Sequence, residues 1–233
     1  MLSFIIMFLK SILLSETSVT LAVAPDAEGT APSRSARAQL FVLSLYEWNR
    51  LNRALGYDPA AGLTLPEGIP LDERMFGLLE EAAERTAALR YAARLLAAAD
   101  SSEAALRRKL REKDFSPASV DDAVRRLRAK GYLDDRAAAA RYAESLLTVK
   151  RYGRRRVYDM LMARGFDREC ARDAADALDP AALAAALDQL VRRRAPGLLS
   201  DDPLARKKAA AVLMRLGYSS DEIREAARRA RGT

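Results

Sequence analysis

The chain has no histidine and a single cysteine, Cys170, among its 233 residues. Without histidine the commonest general base and the commonest zinc ligand are both missing. One cysteine permits neither an internal disulfide nor a CxxC site, and no base partner for a Cys170 nucleophile is apparent, so it reads as a small helix residue. No GxxxxGK[ST] or GxGxxG loop exists to cradle phosphates. Aromatics make up only 6% of the chain, which points to slender packing of leucine and alanine. No unbroken apolar run approaches the roughly 20 residues that a membrane helix needs. Together these gaps argue against an enzyme, a metal site or a cofactor.

Charge and repetition are what the sequence does contain. Lysine and arginine number 39 against 32 acidic residues, a net charge of +7. The excess is uneven: Met1 to Thr86 carries 7 basic and 11 acidic residues, whereas Ala87 to Thr233 carries 32 and 21. That second stretch is repetitive. A leucine precedes an aromatic by five residues at Leu110/Phe115, Leu161/Phe166 and Leu213/Tyr218, giving periods of 51 and 52 residues. Each pair has an amphipathic helix before it and another after it, so the unit is three helices. Gly165 and Gly217 fit left-handed helix ends, and Asp114 is a tolerated substitute in the first unit. Pro117 and Pro180 fall at first helical positions behind the caps Ser116 and Asp179. Asp100 or Ser101 is expected to cap the middle helix of the first unit, and Asp134-Asp135 the first helix of the second. The expected class is all-α, an elongated array of three tandem three-helix repeats (87–133, 134–178 and 179–233) with a partly disordered N-terminal extension.

The N-terminal region is less explicit. Met1 to Leu14 is apolar but interrupted by Lys10, and Ala22-Val23-Ala24 has the look of a cleavage site. Residues 1–36 are read as a disordered or mis-started extension, with a signal or anchor and a packed element as the alternatives. Residues 37–86 are read as a helical segment, with a helix from Arg37 to Leu55 that contains the lone Trp48, either a packing residue or a partner anchor. Asp58 to Pro70 reads as a loop. The segment Ala195 to Pro203 is the candidate flexible joint.

Candidate contacts are basic. Arg154, Arg155 and Arg156 lie seven, six and five residues before Leu161, and Arg206, Lys207 and Lys208 lie at the same offsets before Leu213. The first repeat has Arg107, Arg108 and Lys109 nearby. Three arginines in the first turn of a helix oppose its macrodipole by roughly 0.3 to 1 kcal/mol each, so an anionic partner would account for them. Lys150, Arg151 and Tyr152 precede the central triplet, and Tyr152 and Tyr158 are candidates for stacking on bases. Solvated helix faces are the plainer reading. Charge alone does not choose between nucleic-acid phosphates and an acidic protein surface.

The segments Ala105-Leu106-Arg107-Arg108-Lys109-Leu110, Gly131-Tyr132-Leu133-Asp134-Asp135 and Tyr152-Gly153-Arg154-Arg155-Arg156-Val157, the last running on to Gly165-Phe166, closely resemble the bacterial regulatory RecX family. The resemblance covers about residues 87 to 230. It implies three tandem three-helix repeats and a cytoplasmic, non-catalytic regulator of recombination and DNA repair in the SOS response, a monomer with no membrane attachment. Such a protein binds RecA filaments on single-stranded DNA and inhibits ATP hydrolysis and strand exchange. Leu133, Asp134, Asp135, Tyr152 and Gly153 match the family's strongest motifs; the acidic pair and Gly153 are read as architectural and the cations as the contacts. Asp114 in place of glycine, and Ala139-Ala140 where an aromatic is common, depart from the family pattern. The alternatives are a stand-alone basic nucleic-acid-binding protein and a membrane-tethered adaptor.

Overall fold

The structure, a computed structural model, describes residues 7–25, 38–99 and 101–232. It opens with a sheet that the sequence reading did not foresee. Strands β1 (Met7–Leu14), β2 (Ser18–Pro25), β3 (Gln39–Ser44) and β4 (Pro70–Leu71) form an antiparallel sheet in the order β3-β2-β1-β4. Residues 7–14 and 18–25 are therefore ordered strands rather than a disordered extension; the expectation for 1–6 and 26–36 lies outside the described residues. The signal is period two: Val19, Leu21 and Val23 alternate with small or polar residues, and all three are buried. They register with Leu43, Phe41 and Gln39 of β3. A register shift between Leu9 and Ser11 breaks the alternation of β1 and hides its pattern.

The helix expected from Arg37 begins only at Leu45. Helix α1 spans Leu45–Ala54, with Ser44 accepting a hydrogen bond from the Glu47 N–H as its N-cap. The five residues before that cap are a strand with Phe41 and Leu43 inward, because a short apolar run fits either period and the neighbouring β2 decides. Trp48 packs in the core with Leu9, Leu21, Leu43 and Leu79. From Glu73 onward the described chain is helical, as expected. Helices α2 (Glu73–Ala98), α3 (Glu103–Arg111) and α4 (Pro117–Ala129) make the first trio. Then follow α5 (Asp135–Ser145), α6 (Arg154–Ala163) and α7 (Arg168–Asp176), and α8 (Pro180–Arg194), α9 (Pro203–Arg215) and α10 (Ser220–Arg231).

The described residues group into two compact units, one running up to Arg94 and including Leu110–Leu127, the other Leu95–Lys109 with Arg128 onward. In the first unit, the fully buried Glu47 of α1 accepts from Arg85 of α2 at 2.8 Å and from Arg126 of α4 at 3.0 Å. A buried carboxylate persists only with such partners, so these two arginines tie the N-terminal segment to the helices beside it. Glu84 of α2 accepts from the Ser116 N–H and hydroxyl, both at 2.7 Å, and from the Ser119 hydroxyl at 2.9 Å, satisfying the start of α4.

In the second unit, Val157, Leu161 and Phe166 share one core with Leu187, Leu213 and Tyr218, so the second and third repeats are packed as one body. Asp134 caps α5 as expected, but Asp135 reaches the Glu103 N–H at 2.9 Å and serves the start of α3 instead. Ser102, rather than the expected Ser101, caps α3, accepting from the Ala105 N–H and donating to the Arg164 carbonyl; Asp100, the other expected cap, lies outside the described residues. Asp114 has φ 60° and Gly165 and Gly217 have φ 87° and 95°, the left-handed ends expected of them. The supposed joint from Ala195 is packed: a 3-10 turn over Pro196–Leu199 buries Ala195 and Leu198.

Candidate partner-binding surface

Helix α6 begins where two backbones touch. The Gly153 N–H donates to the Leu216 carbonyl at 2.8 Å, and the Arg155 N–H donates to the Gly217 carbonyl at 3.3 Å. A Cβ on Gly153 would lie 2.5 Å from the Gly217 oxygen, and one on Gly217 would lie 2.3 Å from the Arg156 nitrogen. Side chains are excluded from both positions. The paired glycines thus hold the basic turn of α6 against the end of α9, and the buried Tyr218 donates from its hydroxyl to the Arg151 carbonyl at 3.1 Å to brace the loop. Burial and the nearby Glu222 carboxylate raise the Tyr218 phenol above its usual range, so it stays a donor.

The central triplet is divided among three tasks. Arg154 turns inward, donating to the Leu178 carbonyl at 2.8 Å just past the end of α7 and pairing with Glu222 at 3.6 Å. Its charge therefore sits near the negative end of one helix dipole, which offsets its position at the positive end of another. Arg156 lies over the Tyr152 ring, 5.7 Å from its centroid, so Tyr152 is already occupied by a cation. Arg155 is exposed and has no ion-pair partner among the described residues. Before the triplet, Arg151 takes a left-handed conformation at φ 56° and donates to the Gln189 side chain at 3.0 Å, while Lys150 is exposed.

The other candidates are also unequal. Arg107 is held by Glu103 at 2.8 Å on its own helix, Arg108 is exposed, and Lys109 is half-buried. Lys207 and Lys208 are exposed on the first turns of α9 and Arg206 is half-buried. Because α9 rises about 1.5 Å per residue, these three stand roughly 14 to 16 Å along it from Gly217, where the α6 turn abuts. The two repeat-matched triplets do not merge into one patch. Instead, Arg206 and Lys207 join Arg224, Arg228 and Arg231 of α10 around a cleft of about 800 Å³. The α10 arginines were missed because they form no triplet; the spacing of four and then three residues from Arg224 to Arg228 to Arg231, one face of a helix, was the available signal.

Burial, with the Asp167 and Asp135 carboxylates beside it, pushes the Cys170 thiol up to about 11, which keeps it protonated and unreactive. Burial and Asp167 also raise the Asp135 carboxyl. Among the described residues there is no group of three or more histidine, cysteine, aspartate or glutamate side chains able to hold a metal, and no helix long and apolar enough to cross a membrane.

Three-helix units in tandem, with cations gathered around a cleft in the third, define a basic helical-repeat protein. A family model described as the first three-helix domain of RecX matches residues 88–127. The regulatory protein RecX of Trichlorobacter lovleyi is 36% identical over 151 residues, which covers 58% of this chain and 89% of the relative. The regulatory protein RecX of a Thermus thermophilus strain is 48% identical over 82 residues, 35% of this chain; the match spans only 56% of the relative's length. A crystal structure of a regulatory protein RecX superposes with a TM-score of 0.67 at 17% identity over 93% of this chain and 96% of that one. RecX from Lactobacillus salivarius does so with a TM-score of 0.59 at 18% identity, over 64% of this chain and 97% of its own. At those identities the two structures bear on the fold. The chain belongs to the RecX family of regulatory proteins.

Proposed function

We propose that the protein is a non-catalytic, monomeric cytoplasmic regulator that binds RecA filaments assembled on single-stranded DNA and lowers their ATP hydrolysis and strand exchange. Family membership supports the regulatory role. The observation that carries the contact mode is the set of exposed cations, Arg155, Lys207 and Lys208, that have no ion-pair partner among the described residues. They stand on two helices, Lys207 and Lys208 being roughly 14 to 15 Å along α9 from the point where the α6 turn abuts, a spacing suited to several weak contacts on a repeating surface, where linkage multiplies affinity. Binding of this kind shifts a filament toward inactivity only by as much as it prefers the inactive arrangement.

The test is the rate of ATP hydrolysis by RecA on single-stranded DNA with increasing amounts of this protein. Inhibition at substoichiometric ratios is expected. Absence of inhibition, combined with tight and steeply salt-dependent binding to bare single-stranded DNA, would replace this reading with that of a stand-alone nucleic-acid-binding protein.

A further inference from the structure

The third repeat contains a cleft between α9 and α10 that is less than half as large in the second repeat. The smaller cleft, about 370 Å³, is lined by Arg154, Arg155, Tyr158, Arg172, Ala175 and Asp176. Adding 52, the repeat offset, to each gives Arg206, Lys207, Ala210, Arg224, Ala227 and Arg228, every one of which lines the 800 Å³ cleft. One architectural feature therefore occurs twice, and its two versions differ at chosen points. Ala210 replaces Tyr158, which removes the ring that fills the space. Arg228 replaces Asp176, and α10 runs on to place Arg231 on the rim as well, where α7 has already ended at Asp176. The change is from a filled, mixed-charge cleft to an open, basic one.

The chemistry of the open version is specific. Five cations surround it, and Asp221 is the one carboxylate in its lining. Asp221 is engaged by Arg224, and Arg228 by Glu225, but Arg206, Lys207 and Arg231 have no ion-pair partner among the described residues. The floor is aliphatic: Leu198, Met214, Ile223 and Ala227, with Met214 46% exposed. No aromatic lines it, so it offers no ring for a base to stack on. An aliphatic floor with a cationic rim, in the size range of ordinary ligand pockets, takes an apolar anchor flanked by carboxylates.

We propose that the α9/α10 cleft is the docking site for an acidic amphipathic helix of a protein partner. One apolar side chain of that helix enters the space beside Ala210, and its carboxylates meet Arg206, Lys207 and Arg231, with Arg224 and Arg228 adding to the positive field of the rim. This rests on the reading of the protein as a binding regulator and names the chemistry that its third repeat recognises.

The probe is a fluorescent peptide of about 15 residues, long enough to hold helix on binding, with leucines at helical spacing and glutamates elsewhere. Anisotropy is measured with the full chain, alongside a scrambled peptide of the same composition and an oligothymidylate. The expected result is that Ala210→Tyr, which restores the side chain of the second repeat, weakens the ordered peptide about tenfold, roughly 1.4 kcal/mol. Arg228→Asp with Arg231→Asp does the same, the scrambled peptide binds about tenfold more weakly, and oligothymidylate is unaffected by Ala210→Tyr. Unchanged circular dichroism establishes that the variants are folded, and position 210 tolerates tyrosine at the equivalent place in the second repeat. Equal affinity of the ordered peptide for the wild type and Ala210→Tyr, no peptide binding, or loss of oligothymidylate instead of peptide would each overturn the proposal. RecA inhibition by the wild type with no peptide binding removes the cleft proposal alone; peptide binding without RecA inhibition removes the RecA reading alone.

Discussion

The contact between Gly153 and Gly217 allows strain and packing to be separated by three alanine substitutions in one unit. Gly131 has φ 73° and nothing within 4 Å of a built Cβ, so Gly131→Ala meets only the left-handed penalty, about 1 to 2 kcal/mol. Gly153 has φ −76°, which any residue adopts, but its Cβ would lie 2.5 Å from the Gly217 oxygen and 2.8 Å from the Tyr218 nitrogen. Both obstacles are backbone and cannot rotate away. Relief requires the two segments to part, which carries an overpacking cost of about 1 to 3 kcal/mol. It also weakens the hydrogen bonds from Gly153 to Leu216 and from Arg155 to Gly217, about 1 kcal/mol each. Gly153→Ala is therefore expected to cost about 3 to 5 kcal/mol, and Gly217→Ala, with φ 95° as well, about 4 to 7 kcal/mol. For a chain of this size each kcal/mol lowers Tm by about 2 to 4 °C, so Gly153→Ala should melt roughly 10 °C lower and Gly131→Ala only a few degrees. Far-UV circular dichroism is the probe, because the lone Trp48 lies in the core of the other unit. If Gly153→Ala proves no less stable than Gly131→Ala, the backbone contact is not there and the argument for a fixed α6 turn fails.

Three further outcomes follow from other contacts. Burial raises the Glu84 carboxyl, but the hydrogen bonds from Ser116 and Ser119 outweigh it and hold the group below its ordinary value of 4.5. Its stabilisation is thus complete above that value and lost as pH falls through the lower folded-state value. Glu84→Gln should cost about 1 to 2 kcal/mol at neutral pH, and urea midpoints for the two proteins should converge in acid; a gap that persists unchanged at low pH refutes the account. Arg154→Ala should lower stability by about 1 kcal/mol, because it strands the Leu178 carbonyl, whereas Arg155→Ala should leave Tm unchanged and weaken binding to the RecA filament; the reverse assignment would mean that the two arginines exchange roles. Cys170, with its thiol near 11, should react with an aromatic disulfide reagent far more slowly in the native protein than in denaturant at about pH 8, and equal rates would place it at the surface.

Much of the repeat architecture was legible because its signals are local. Asp114, Gly165 and Gly217 end helices in left-handed residues, and Ser219, Asp167 and Asp179 cap the helices that follow. Val157 and Leu161 face a core four residues apart. The N-terminal sheet was not legible for two reasons that can be named. The bulge at Lys10 disrupts the alternation of β1, and residues 39–43 fit a helix until β2 supplies hydrogen-bonding partners. Asp135 illustrates a third kind of difficulty: two adjacent aspartates at a helix start both look like caps of that helix, yet one of them serves a helix 32 residues away.

The candidate surface divides along the same line. By itself the sequence determined the repeat period, the positions of the basic triplets and the absence of a histidine-based or disulfide chemistry, since these depend on residue identity and spacing alone. Only the tertiary structure decided which cations face solvent. Arg154 is drawn inward by a carbonyl 24 residues ahead, Arg156 is exposed but lies over a tyrosine ring, and Arg155 between them is exposed with neither contact. Likewise, exchanging Tyr158 for Ala210 is one substitution in the sequence, but the space it leaves becomes a basic cleft only because α10 brings three arginines to the same place. Helical periodicity assigns a side chain to a face; what that face meets depends on chain folded back from far along the sequence.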